Sequence, residues 1–362
     1  MPNVFEARAQ ALLECLRQDA VDGLLVTSMP NVRYLTGFSG TTAMLLVTGA
    51  QRWLFTDFRY AEQAAAEAGA VAKIVIEPAS LWRGLWEMLR SMNGVHTLGF
   101  ESAHLTHRDF ERLLKDGTAW TWRPQVDVVE RLRERKDAGE LELIRNAARV
   151  AGAALDRTLA QVRPGMTELQ VAGVLEHALR DHGSEEAPFP TIVASGARTA
   201  LPHARAGSRT IARGDFLLLD FGATVGGYCS DVTRTVVVGK ADARQREVHD
   251  AVLAANEAAR SRVRSGMTGK EADAIARAVL EQLGLGEAFG HGLGHGIGLE
   301  VHEGPRLSRI AEHVLPEGAV VTIEPGAYVS GWGGVRIEDN VMLGAGGAEL
   351  LTEIPRHLIE LS

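Results

Sequence analysis

Cysteine is nearly absent: Cys15 and Cys229 are the only two in 362 residues. Two thiols so far apart build neither a disulfide framework nor a cysteine-rich metal site, and they suit a reducing compartment. Long apolar runs are absent too. Stretches such as Met44–Val47 and Phe216–Leu219 fall far short of the ~20 residues that cross a bilayer. Positive charge is not in excess. Lys and Arg number 38 against 46 Asp and Glu, a formal charge of −8, so nucleic acid is not an expected partner. Glu6, Arg8, Glu14 and Arg17 interrupt the apolar residues near the N-terminus, which therefore reads as an amphipathic helix rather than a signal peptide. A cytoplasmic location is expected. What remains is ordinary globular composition, 46% hydrophobic and 23% charged, at a length that suggests two domains.

Residues 1–125 read as one α/β domain. Phe5, Ala9, Leu12, Leu13 and Leu16 share a helical face. Short apolar runs at Leu24–Val26, Met44–Val47, Trp53–Phe55 and Ile74–Ile76 predict strands, with helices over Tyr60–Glu67 and Leu81–Met92. No glycine-rich phosphate-binding fingerprint accompanies them, and the expected roles are shape, oligomer contacts and restricted access. Residues 131–145 are mixed in charge and helix-prone. They predict a solvated helix near the junction with a second domain, residues 126–362.

That second domain carries an internal repeat. Val162-Arg-Pro-Gly-Met-Thr167 recurs as Val263-Arg-Ser-Gly-Met-Thr268, each between two helix-like stretches, with the Thr as N-cap. Further on, Arg213–Gly222 resembles Glu317–Gly326, and each copy then starts another strand bearing an acid. Two related helix–helix–strand–strand units predict a pseudo-two-fold sandwich rather than a solenoid.

Such a symmetry has a chemical consequence. Asp220 and Glu324 end apolar strands; Asp231 and Glu338 sit on the return strands. Facing units converge four carboxylates, which repel one another and resist ionisation when buried. Arg234 and Arg336 cannot neutralise all four, whereas a pair of divalent cations can. The segment His291-Gly-Leu-Gly-His295-Gly-Ile-Gly-Leu-Glu-Val-His302 adds imidazoles. Carboxylate oxygens with one imidazole suit manganese, cobalt, iron or zinc. Two such ions, bridged by carboxylates and a hydroxide, make a hydrolytic centre, with the remaining histidines left to polarise a carbonyl. The bland readings are turn-forming aspartates and solvent-exposed histidines, and the repeat-related spacing argues against them.

These segments resemble the signature set of the pita-bread metallopeptidases. The residues are Asp220-Phe-Gly-Ala-Thr-Val-Gly-Gly-Tyr-Cys-Ser-Asp231, the histidine segment, Thr322-Ile-Glu324-Pro-Gly and Val335-Arg-Ile-Glu338-Asp. The nearest types are Xaa-Pro dipeptidase (prolidase) and Xaa-Pro aminopeptidase (aminopeptidase P). Asn31-Val-Arg-Tyr-Leu-Thr-Gly-Phe-Ser-Gly40 and Phe55-Thr-Asp-Phe-Arg-Tyr60 are similar to the creatinase-type N-terminal domain. The resemblance implies that Asp220 and Asp231 hold one metal, that His295 and Glu324 hold the other, and that Asp231 and Glu338 bridge. It implies Glu324 as the base, and His203, His291 and His302 in the substrate cleft. Arg336 would organise that cleft by pairing with acids. It also implies two divalent ions, manganese before cobalt or zinc, and a homodimer.

A proline-specific peptidase fits chemically. An X–Pro bond has no N–H to donate and its ring fixes φ, so it needs a dedicated apolar pocket. Phe189, followed by Pro190 and Ile192, is the candidate wall, with core packing as its bland reading. Arg306 resembles the carboxylate-binding arginine of prolidases, and its bland reading is an ordinary surface residue. Arg306 favours hydrolysis of Xaa-Pro dipeptides over the alternative, removal of the N-terminal residue from longer X-Pro peptides. The other readings are a methionine aminopeptidase, whose usual form lacks the first domain, and a non-enzymatic peptide-binding module, against which the intact ligand set argues.

Overall fold

The computed structural model describes residues 4–49 and 51–362. The chain divides into two compact units, Met1–Arg133 and Glu134–Ser362.

The first unit is built on six strands: β1 (Gly23–Val26), β2 (Met44–Thr48), β3 (Gln51–Thr56), β4 (Lys73–Ile76), β5 (Thr97–Glu101) and β6 (Thr121–Gln125). Their order is β4-β3-β2-β1-β5-β6. β1 pairs antiparallel with β2 and parallel with β5. Its helices are α1 (Val4–Gln18), α2 (Met29–Thr36), α3 (Ala61–Ala68), α4 (Leu81–Ser91), α5 (His107–Asp116) and α6 (Val128–Arg133). α1 buries Ala9, Leu12, Leu13 and Leu16, the face its spacing predicts. Leu25, Leu46, Phe55, Leu85, Leu98 and Phe100 pack as one core between sheet and helices. The buried Glu101 carboxylate accepts from the Thr27 and Ser28 N–H groups at 2.6 and 2.8 Å and from Asn31 Nδ2 at 2.7 Å, tying the start of α2 to β5.

Residues 131–145 do not form the single solvated helix their charge pattern suggests. α6 ends at Arg133, and α7 (Ala138–Leu159) starts on an Asp137–Glu140 capping box. Arg133 and Lys136 are buried, and the Lys136 ammonium lies 2.5 Å from Glu303 Oε1. Two side chains that read as part of a solvated face are buried, Lys136 against Glu303 and Arg133 donating to Asn31 Oδ1 at 2.7 Å, and a new helix starts at the Asp137 cap.

The second unit repeats one plan twice. Its helices are α7, α8 (Glu168–Asp181), α9 (Ala243–Arg262) and α10 (Gly269–Gln282). The first-copy strands are β7 (Ile192–Ser195), β8 (Phe216–Phe221), β9 (Thr224–Val225), β10 (Tyr228–Cys229) and β11 (Val232–Val238). The second-copy strands are β12 (Gly294–Gly296), β13 (Glu303–Leu307), β14 (Val320–Ile323), β15 (Gly326–Val329), β16 (Gly333–Arg336), β17 (Asp339–Gly344) and β18 (Gly347–Leu350), followed by β19 (Glu360–Leu361). The main sheets run β19-β11-β8-β7 and β13-β12-β14-β17-β18.

Both repeat turns take the same form. Gly165 and Gly266 adopt φ of 91° and 85°, a region open to glycine. Thr167 and Thr268 then cap α8 and α10, each in a reciprocal box with Gln170 or Glu271. Small residues let each helix approach its sheet closely. Ala147, Ala151 and Ala154 of α7 pack with Leu217, Leu219 and Val236, while Val252, Ala255 and Ala259 of α9 pack with Val321, Ile323 and Val341.

Candidate metal centre

Antiparallel pairing delivers the carboxylates in two matched sets. Asp220 lies near the end of β8 opposite Thr233, and Asp231 immediately precedes β11. In the second copy Ile323 pairs with Asp339, so Glu324 leaves β14 beside the point where Glu338 enters β17. His295 sits on β12, next to β14. The glycines around it are spatial necessities. A Cβ on Gly294 would lie 2.0 Å from the Thr322 carbonyl oxygen, and one on Gly296 1.9 Å from that of Gly304.

The side chains converge. Ligand atoms of Asp220, Asp231 and Glu338 lie within 4.8 Å of one another, as do those of His295, Glu324 and Glu338. Glu338 is common to both groups. His295 Nε2 is 3.5 Å from Glu324 Oε1 and 3.7 Å from Asp231 Oδ2. Its Nδ1 is 3.1 Å from the Gly296 carbonyl oxygen, which assigns the proton to Nδ1 and leaves the Nε2 lone pair facing the acids. Asp231 also lies with His295 and His302 in a third such group.

Neighbouring side chains hold these groups in place. Thr233 Oγ1 donates to Glu338 Oε2 at 2.6 Å, and Thr322 Oγ1 donates to Glu324 Oε1 at 3.2 Å. Asn340 grips the Asp231 backbone at both N–H and C=O. Arg336 donates to Asp220, to Thr233 Oγ1 at 2.9 Å and to the Tyr328 hydroxyl at 2.7 Å. Tyr328 Oη lies 3.0 Å from His291 Nε2, and His291 Nδ1 is 2.8 Å from the Gly292 carbonyl oxygen. Both His291 nitrogens are thus engaged within the chain.

Electrostatics shows what this cluster needs. Burial pushes the Asp231 and Glu338 carboxyls well above their ordinary range, and the neighbouring acids push them further. Burial raises Glu324 to about 7 and also raises Asp220, against the pull of Arg336. Burial drives His295 and His291 down to about 4, so neither supplies positive charge at neutral pH. Arg336 pairs directly with Asp220, one of the four acids. Asp231 Oδ1 is buried with no hydrogen-bond partner. A buried acceptor without a donor, among hard oxygens and one imidazole, fits divalent cations.

A cavity of about 750 Å³ opens over the cluster. It gathers every candidate: Asp220, Asp231, His295, Glu324 and Glu338, with His203, His291, His302, Arg306, Arg336 and Phe189 in the lining. Pro190 and Ile192 extend the apolar wall beside Phe189. Arg205, Ser308, Ile310 and His313 line it as well, and sequence reasoning assigned none of them; His313 Nε2 accepts from the Arg306 backbone N–H at 3.1 Å. Thr233, Thr322 and Asn340 were also missed. Each lies two residues from a candidate acid that flanks its strand, and that spacing was the available signal.

Residues 142–345 match Metallopeptidase family M24, and residues 8–135 match the Creatinase/Prolidase N-terminal domain. The Xaa-Pro dipeptidase of Pyrococcus horikoshii is 36% identical over 99% of this chain and 100% of its own length. Among solved structures, the Xaa-Pro dipeptidase from Bacillus anthracis superposes with a TM-score of 0.95 at 38% identity, covering 99% of this chain and 100% of that one. The X-Pro aminopeptidase from Thermotoga maritima gives 0.90 at 37% identity, over 97% and 99%. The expected fold, a creatinase-type N-terminal domain followed by a pita-bread domain, is borne out by these matches. No helix among the described residues is long and apolar enough to cross a membrane.

Proposed function

The chain belongs to metallopeptidase family M24, and we propose that it hydrolyses the bond before proline in Xaa-Pro dipeptides with two divalent ions at its acidic cluster. One observation carries the reading. Two three-residue ligand groups share Glu338 at the floor of a cavity that also holds an apolar wall and an arginine.

Asp220 and Asp231 would hold one ion, His295 and Glu324 the other, with Asp231 and Glu338 shared between them. Bound there, such ions lower the pKa of water and polarise a carbonyl oxygen. The protein's own groups do the rest. Thr322 fixes Oε1 of Glu324, leaving Oε2 to take a proton from water and return it to the departing proline nitrogen. Burial lowers the His302 pKa, so its ring is a neutral donor suited to the developing oxyanion, with His203 beside it in the lining. His291 acts through Tyr328, which keeps Arg336 directed at Asp220. Phe189, Pro190 and Ile192 receive the pyrrolidine ring, and Arg306 pairs with the free carboxylate of a dipeptide.

Manganese is the first candidate metal, ahead of cobalt and zinc. The protein acts as a cytoplasmic homodimer, with oligomer contacts and restricted access assigned to its N-terminal unit. A second reading, removal of the first residue from longer X-Pro peptides, is favoured by the likeness to the Thermotoga maritima X-Pro aminopeptidase. Turnover of Ala-Pro against a longer Ala-Pro-X-X peptide, each with manganese, separates the two. Preference for the dipeptide is expected; preference for the longer peptide overturns the dipeptidase assignment.

A further inference from the structure

Asp220 is set by a full ladder, because β8 is paired on both edges, with β7 and β11, and Asp231, one residue before β11, has its backbone N–H and C=O both bonded by Asn340. Glu324 and Glu338 have neither support. They lie just outside β14 and β17, beyond the last pair, Ile323 with Asp339. Their spacing therefore needs another device, and α9 carries it.

Asn256, fully buried on α9, donates from one amide nitrogen to the carbonyl oxygens of Ile323 and Ile337, each at 3.2 Å. Those carbonyls share peptide planes with the N–H groups of Glu324 and Glu338. The Glu324 N–H donates to the Leu293 carbonyl at 2.9 Å, and the Glu338 N–H to that of Thr233 at 3.1 Å. Both glutamate-bearing peptides are thus pinned on both polar atoms, and Asn256 is the partner they share. Its two N–H bonds are used at once. Arg260, one turn on, donates from Nε to Asn256 Oδ1 at 2.8 Å, which fixes the amide's orientation. The same Nε lies 3.6 Å from Asp339 Oδ2, beside Glu338.

We propose that Asn256 is a positioning residue that sets the separation of Glu324 and Glu338, and so the affinity for the ion held by His295, Glu324 and Glu338. The proposal rests on the dinuclear reading above. It places the larger effect on that ion, because it would take both clamped glutamates, whereas Asp220 is set by the β8 ladder and Asp231 by Asn340.

The test is calorimetric titration of the chelator-stripped full chain with manganese, together with electron paramagnetic resonance of the loaded protein. Asn256→Asp keeps the volume and the Arg260 contact but loses both donors. It is expected to retain one ion and to bind the other at least tenfold more weakly, with isolated-manganese signals replacing coupled ones. Arg260→Gln, at a half-buried position that leaves the fold standing, frees the amide to turn and gives a smaller loss at the same ion. Val252→Ala, buried one turn earlier on α9, removes packing without touching either carbonyl; it lowers the melting temperature while binding two ions as the unaltered protein does. Unaltered affinity for both ions in Arg260→Gln and in folded Asn256→Asp overturns the proposal. An equal loss in Val252→Ala does so too, by tracing the effect to general destabilisation. Fewer than two ions in the unaltered protein contradicts the dinuclear reading itself.

Discussion

Replacing Glu324 with glutamine should stabilise the metal-free protein and cripple the loaded one. Burial raises the Glu324 carboxyl from an ordinary 4.5 to about 7. At about 1.4 kcal/mol for each pH unit between those values, holding it ionised in the fold costs ~3 kcal/mol above pH 7. The side chain retains 17% exposure, which trims the figure to about 2–3 kcal/mol. The folded-state pKa lies above the unfolded one, so the stability linked to this group is fully present below about pH 4.5 and is lost as pH rises through about 7. Glutamine has the same shape, still accepts from Thr322, and never ionises. In chelator, urea unfolding of the C-terminal unit should therefore find Glu324→Gln more stable than the unaltered protein by about 2–3 kcal/mol at pH 8. That is roughly 5–10 °C in melting temperature. At pH 5 the two should differ by less than about 1 kcal/mol, because the folded-state carboxyl is then neutral and only the partial ionisation of the unfolded chain separates them. Added manganese should reverse the order at pH 8, stabilising the unaltered protein more than the variant. A metal-free variant that is no more stable at pH 8 than the unaltered protein refutes the claim that these acids are crowded and desolvated.

Three other substitutions probe separate parts of the cleft. Arg306→Ala should raise KM for Xaa-Pro dipeptides about tenfold or more, as expected for loss of a charge-assisted pair, while sparing longer peptides that present no carboxylate there; steady-state kinetics with equal effects on both classes removes the clamp. Tyr328→Phe deletes the hydroxyl between Arg336 and His291 and should lower kcat about tenfold, as expected for loss of a hydrogen bond to a charged group; an unchanged kcat would show that Arg336 holds Asp220 without it. Gly294→Ala forces a Cβ against the Thr322 carbonyl oxygen and should destabilise the protein by ~2–4 kcal/mol and weaken metal binding through His295; wild-type stability in denaturant titration would show that β12 relaxes freely.

Legibility in the sequence followed local physics. Local pattern located α1 and α4, whose apolar residues recur on one helical face, and β2 and β3, which carry short apolar runs. β5 and β6 escaped: one is Thr-Leu-Gly-Phe-Glu with an interior glycine, the other Thr-Trp-Arg-Pro-Gln with an edge proline. Their strand character comes from pairing with β1 and with each other, which no local pattern records. In the second unit, the duplicated turn and its capping threonines were readable because caps and left-handed glycines are set within a few residues. The acids were readable through repeat offsets. Asn256 and Tyr328 were not, because they reach the site from elements far apart in the chain. Asn256, for example, bonds the carbonyl oxygens of Ile323 and Ile337, each at 3.2 Å. The misreading of 131–145 has the same origin, since charges paired over long sequence separation look solvated when only neighbours are considered.

The central claim is that the buried acids are tenable together only around paired cations. Elemental analysis of the purified chain, combined with Ala-Pro turnover before and after exhaustive chelation, tests it most directly. The account predicts two divalent ions per chain, turnover abolished on stripping, and recovery when manganese is restored. Full turnover from a chain that carries no divalent ion would contradict it.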